Sequence, residues 1–141
     1  MLYATLTDLV AQFGQREVIA LTDRNQYGEP DGVVAEAALQ RASDTIDAYL
    51  SARYPLPMNA VPTQLVDICC DIARYKLLGA EVTETEPARL RYKDALKTLE
   101  LIRDGKIDIG LTVAGQAPAV VGSIKVVGGA RVFDRNSLSD Y

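Results

Sequence analysis

From about Gly105 to Tyr141 the sequence is cut by glycine too often for a helix, and it carries too many apolar residues for a solvated tail. Glycine recurs at Gly105, Gly110, Gly115, Gly122, Gly128 and Gly129. The pieces between them are too short to repay helix nucleation. Yet Ile107, Ile109, Leu111, Val113, Val120, Val121, Ile124, Val126, Val127, Val132, Phe133 and Leu138 lie in this stretch, unlike a disordered composition. Such a segment needs something to lie on. The expectation is a docking arm over residues 106–141, following a self-contained body over residues 1–105, in an assembly component rather than an enzyme. Short strands are expected at about Lys106–Val113 and Ser123–Val127, where two-faced runs are flanked by glycine. An isolated hairpin is marginal in water, and its open edge invites a neighbouring chain.

The totals narrow the function. At 141 residues with 48% hydrophobic side chains, one domain plus an arm is the natural organisation. Residues 1–105 hold 11 Lys and Arg against 16 Asp and Glu, a formal charge of −5, while residues 106–141 hold 4 against 3, or +1. That distribution lacks the basic footprint of a nucleic-acid binder. There is no histidine, which removes the commonest general base and metal ligand and the Ser-His and Cys-His arrangements. Cys69 and Cys70 are adjacent, and their side chains diverge by about 100° on a helix. They read as small core residues in a reducing compartment. No apolar run approaches membrane-spanning length, and Met1-Leu2-Tyr3 opens no signal peptide.

The body reads as helices with clear punctuation. Thr5-Leu6-Thr7-Asp8 has capping-box spacing before an apolar stripe of Leu6, Leu9, Val10 and Phe13, and Gly14 can close that helix. A second short helix spans about Gln15 to Leu21. The loop from Thr22 to Gly32 places Asp23, Asn25 and Gly28 at positions 1, 3 and 6 of a calcium-loop register. Tyr27 and Val34 then occupy positions that require oxygen ligands, so a capped loop is expected and no metal. A long helix follows from Asp31 to about Arg53, with Val34, Ala38, Ala42, Ile46, Tyr49 and Leu50 on one side. Pro55 bars helical geometry at Tyr54. Pro62 and Pro87 each open a further helix; Gly79 and Gly105 end them. In the last helix Leu90, Tyr92, Ala95, Leu96, Leu99 and Ile102 are expected to face inward. Asp67 and Asp71 stand four residues apart with Arg74 beside them, and the spacing predicts a structural ion pair between Asp71 and Arg74. The fold class is thus all-α, a small bundle of four to five helices with an extended C-terminal arm.

Motifs for chemistry are missing. Val127-Gly128-Gly129-Ala130 lacks the lysine and context of a phosphate loop, there is no Cys-x-x-Cys, and no carboxylate pair is set up for acid–base work. Neither catalysis nor a cofactor is expected.

Several stretches together resemble a known family. They are Tyr3-Ala4-Thr5-Leu6-Thr7-Asp8-Leu9, Leu21-Thr22-Asp23-Arg24, the run from Ala48 to Pro57, Cys70-Asp71-Ile72-Ala73-Arg74-Tyr75, and Arg131-Val132-Phe133-Asp134-Arg135. In combination, over nearly the whole chain, they resemble the Mu-like phage and prophage proteins once catalogued as a domain of unknown function and now treated as head–tail connector or adaptor proteins. The resemblance implies a structural protein of the virion neck, assembled in the host bacterial cytoplasm. It implies a homo-oligomeric ring, commonly of twelve copies, that meets the portal protein on one side and a stopper or tail-completion protein on the other. Genomic DNA would pass through without sequence-specific binding, and no membrane is involved. Within that frame Val132, Phe133 and Leu138 are the expected apolar anchors of the arm, and Arg131 and Arg135 its polar clamps. The alternatives are a stopper or tail-completion role, a soluble helical protein-binding module, and a nucleic-acid binder whose affinity would fall with salt.

Overall fold

The computed structural model describes residues 1–79, 87–111 and 113. They form an all-α bundle of five helices: α1 (Leu6–Phe13), α2 (Gln15–Thr22), α3 (Gly32–Leu50), α4 (Thr63–Leu78) and α5 (Pro87–Arg103). Each boundary has a local cause. The Thr5 side chain accepts from the Asp8 amide while the Asp8 carboxylate accepts from the Thr5 amide, closing the capping box of α1. Gly14, at φ 86°, lets the chain break and restart as α2. Asp31 caps α3 by accepting from the amides of Val33 and Val34. Helix α3 stops at Leu50, three residues short of Arg53, and the chain winds on as a turn with Arg53 and Tyr54 amides donating to the Leu50 carbonyl.

Helices α3 and α4 share the main interface, and each touches every other helix; α5 lies on one side of this pair and α1–α2 on the other. Ser43 meets Cys69 near mid-helix while Val33 and Val34 lie by Lys76 and Leu77, so α3 and α4 run antiparallel. Tyr49 with Arg103, and Arg53 with Gly105, show that α5 runs alongside α3 in the same direction. The core is built from Leu9, Val18, Leu39, Ile46, Leu50, Leu65, Ile72, Leu99 and Ile102, all fully buried. Cys69 and Cys70 are free thiols inside it.

Three expectations change. Leu90 is 51% exposed near the start of α5, where Ala88 is buried but stands outside the core cluster. No strand forms at residues 106–111 or 113. The alternating side chains Ile107, Ile109, Leu111 and Val113 do turn inward, but onto the helical core, where no strand among the described residues offers a ladder. The proposed strand at 123–127 lies outside the described residues. Finally, the core extends past Gly105, so a body ending there omits four of its packed side chains.

Candidate functional site

The site of interest is where the chain leaves α5, at the end of the bundle where α3 and α5 both finish. The Gly105 amide donates to the Ile102 carbonyl and the Lys106 amide to that of Leu101 at 2.8 Å. This is the paired closure of a Schellman turn, with Gly105 at φ 76°. The Arg53 guanidinium lies directly over Gly105, where a Cβ would collide with it. Arg53 also sits 5.7 Å from the Tyr54 ring centroid. A side chain from the end of α3 thus covers the point where the chain leaves α5.

Beyond the turn, Asp108 accepts from the Gly110 amide at 2.8 Å, and Leu111 reaches a notch of about 140 Å³ between itself and Tyr54, Pro55, Pro57, Met58 and Asn59. The Tyr54 side chain is almost fully buried, and its hydroxyl has no hydrogen-bond partner among the described residues. An unmet buried hydroxyl is costly, but this one is enclosed and offers nothing to the notch surface. The chemistry on offer at the notch is mainly apolar contact, suited to gripping a polypeptide side chain.

The same end holds the first residues of the chain. The Tyr3 hydroxyl donates to Asp47 Oδ1 at 2.5 Å, the Met1 amine pairs with Oδ2 at 2.9 Å, and the Tyr3 amide donates to Ser43 Oγ. Burial, reinforced by the Asp47 carboxylate, pushes the Tyr3 phenol far above its ordinary value. The hydroxyl is therefore a fixed donor, and its role is to tie residues 1–4 to α3.

A second polar cluster crosses the outer face of α4. The predicted bond between Asp71 and Arg74 is replaced by bonds to other helices. Arg74 Nε reaches Glu17 of α2 at 2.6 Å, with its guanidinium 4.7 Å from the Phe13 ring centroid. Asp71 accepts from Gln12 of α1 at 3.2 Å and pairs with Arg91 of α5 at 3.6 Å. Spacing along one helix could identify charged neighbours; it could not show that three other helices offer better partners. Burial raises the Asp71 carboxyl above its usual range, with Arg91 and then Arg74 opposing that rise. Tyr75 and Tyr92 stack with centroids 4.0 Å apart, joining α4 to α5. These contacts hold helices together and present no free nucleophile or base.

The loop tested for calcium resolves in the same structural sense. Both Asp23 oxygens are occupied by backbone, Oδ1 by the Tyr27 amide at 3.0 Å and Oδ2 by that of Gly28 at 2.7 Å. Those bonds, Gly28 foremost, lower its pKa. Among the described residues no three His, Cys, Asp or Glu side chains gather to hold a metal ion, and no helix is long and apolar enough to cross a membrane. The anchors and clamps expected in the arm, Arg131, Val132, Phe133, Arg135 and Leu138, lie outside the described residues.

The relatives now decide the lineage. A model of the family described as bacteriophage Mu Gp36 matches residues 3–127. The chain belongs to the bacteriophage Mu Gp36 family. Gene product J of Escherichia phage Mu is 42% identical to it over 112 residues, covering 79% of this chain and 78% of the relative. The Mu-like prophage FluMu protein gp36 of Haemophilus influenzae is 31% identical over 141 residues, covering 100% and 99%. The Gp36 match takes in the described residues from Tyr3 onward, including the Arg53–Gly105 closure and the notch. What the sequence resemblance did not single out was Arg53, Tyr54 and Leu111 as a unit. The clue was present in the Tyr-Pro-Leu-Pro run and the alternation after Gly105, but only the fold brings the two together.

Proposed function

We propose that this Gp36-family chain is a structural component of the phage neck, a head–tail connector that assembles as a ring between portal and tail. In this reading the helical body forms the ring wall and residues 114–141 are the arm that grips the portal protein or an adjacent copy. The observation that carries it is the division of apolar residues at Val113. Ile107, Ile109, Leu111 and Val113 lie on the chain's own core. The sequence beyond still holds Val120, Val121, Ile124, Val126, Val127, Val132, Phe133 and Leu138, a large apolar load for a segment that, drawn out, spans up to roughly 90 Å. The lineage supports the setting, since relatives of this length occur in phage Mu and a Mu-like prophage.

Arg131 and Arg135 flank Val132 and Phe133, a grouping of the kind that dominates protein interfaces. Burying an aromatic or a leucine contributes roughly 1.5–3 kcal/mol, so two or three such anchors suffice to hold an arm in a groove. The experiment is complementation of a phage lacking the gene. A chain ending at Val113 is expected to fold and to be absent from purified particles, and Phe133→Ala to join them poorly. Normal incorporation of the shortened chain would remove the arm from the mechanism.

A further inference from the structure

At the end of the bundle opposite the arm root lies a cleft of about 230 Å³, lined by Arg24, Arg41 and Lys76 over a floor of Val33, Val34, Ala37, Ala38 and Leu77. Three features set it apart. Among the described residues its lining has three cations and no carboxylate, on a body whose formal charge is −5. None of the three side chains has an ion-pair partner among the described residues. Its floor includes Val33, which is 79% exposed. Like charges gathered together repel one another and favour an acidic partner, and an exposed valine among them adds apolar surface that a partner could cover. Duplex DNA would use the cations but leave the apolar floor unmatched, and the acidic body opposes its approach.

The same sequence contains a complement. The connection between α4 and α5, residues 80–86, reads Ala-Glu-Val-Thr-Glu-Thr-Glu, with Glu81, Glu84 and Glu86, no Lys or Arg, and Val82 among them. It lies outside the described residues; the residues on either side of it, Gly79 and Pro87, stand at the cleft's end of the bundle. We infer that the cleft receives the acidic α4–α5 connection of a second copy, so that successive copies join head to tail. This rests on the ring reading above and names the contact that closes the ring. A contact between two different patches is the kind that generates rings. Rotation about a ring axis involves no shift along it, so patches at one end of an upright bundle stand at matching heights.

The test is a charge exchange in the full chain, with mass measured by light scattering, alone and with the portal protein of the same phage. Arg41→Glu with Lys76→Glu, and separately Glu81→Lys with Glu84→Lys, are each expected to weaken self-association at least tenfold while circular dichroism stays unchanged. Mixing the two variants is expected to restore mixed oligomers with the two variants alternating, since both contacts between unlike copies pair opposite charges. Wild-type rings that persist in both variants would overturn the contact and leave the ring. A wild-type chain that stays monomeric in both settings would remove the ring and the contact together. Unchanged assembly with a lowered melting temperature in each variant, recovered when all four changes share one chain, would show that the connection docks on its own copy and would also overturn the inference.

Discussion

Gly105 is the residue on which the chain's two roles turn. Its φ of 76° and the guanidinium of Arg53 over it both oppose a side chain. Gly105→Ala should therefore cost about 1–2 kcal/mol in urea unfolding. Because Arg53 can swing aside, Gly105→Asn should cost less, asparagine tolerating the left-handed region better. Asp71 and Asp8 titrate in opposite senses. Burial raises Asp71, so the folded state holds its proton more tightly than the unfolded chain does. Its contribution is most favourable below the unfolded carboxylate pKa and is lost as pH rises through the folded value. Asp71→Asn is expected to match or exceed wild-type stability at neutral pH, with the difference closing on acidification; a large loss at neutral pH would show that the Arg91 bond outweighs burial. For Asp8, whose pKa the Thr5 hydroxyl lowers, stability is present above the unfolded pKa and lost as pH falls through the folded one. Thr5→Ala should remove about 1 kcal/mol at neutral pH and move the Asp8 titration, followed by NMR, back toward the ordinary range.

At the scale of elements, the helices were legible because their ends carry chemistry that the sequence displays. The Thr5–Asp8 box, the glycine at position 14, the Asp31 cap and the prolines at 62 and 87 each act within a few residues. The inward face of α5 was less legible. Leu90 fits the helical period but stands half exposed, and the α5 side chains that reach the core begin at Tyr92. The contrast gives a direct check by thermal or urea unfolding: Leu99→Ala should cost about 2–5 kcal/mol, whereas Leu90→Ala should stay within about 0.5 kcal/mol. The strand expected at 106–113 failed for a related reason. Alternation reports which side chains are buried, and here the burying surface is a helix bundle. Local spacing likewise paired Asp71 with Arg74, and only the arrangement of α1, α2 and α5 reassigns both.

Across the whole molecule, the bundle has two unlike ends: one carries the chain's first residues, the Tyr54 notch and the arm root, the other the basic cleft. This polarity was invisible in the sequence, since Arg24, Arg41 and Lys76 are far apart along the chain and converge only when α3 and α4 run antiparallel. The packed body runs past the boundary expected at Gly105, because Ile107, Ile109, Leu111 and Val113 lie on the core. A chain ending at Val113 should unfold with wild-type stability, while one ending at Gly105, deprived of Ile107, Ile109, Leu111 and Val113, should melt several degrees lower. Equal melting points would show that those four side chains contribute nothing to the body. The buried sulfurs have a practical consequence at this scale. Cys69 and Cys70 are fully enclosed, with the Cys70 thiol pushed up to about 12 by burial, so neither presents a thiolate to reagents at neutral pH. A cysteine introduced on the outside would be the single site taking a maleimide dye, and spacings between labelled copies could be read by energy transfer in any assembly the chain forms without first stripping the native sulfurs from the core.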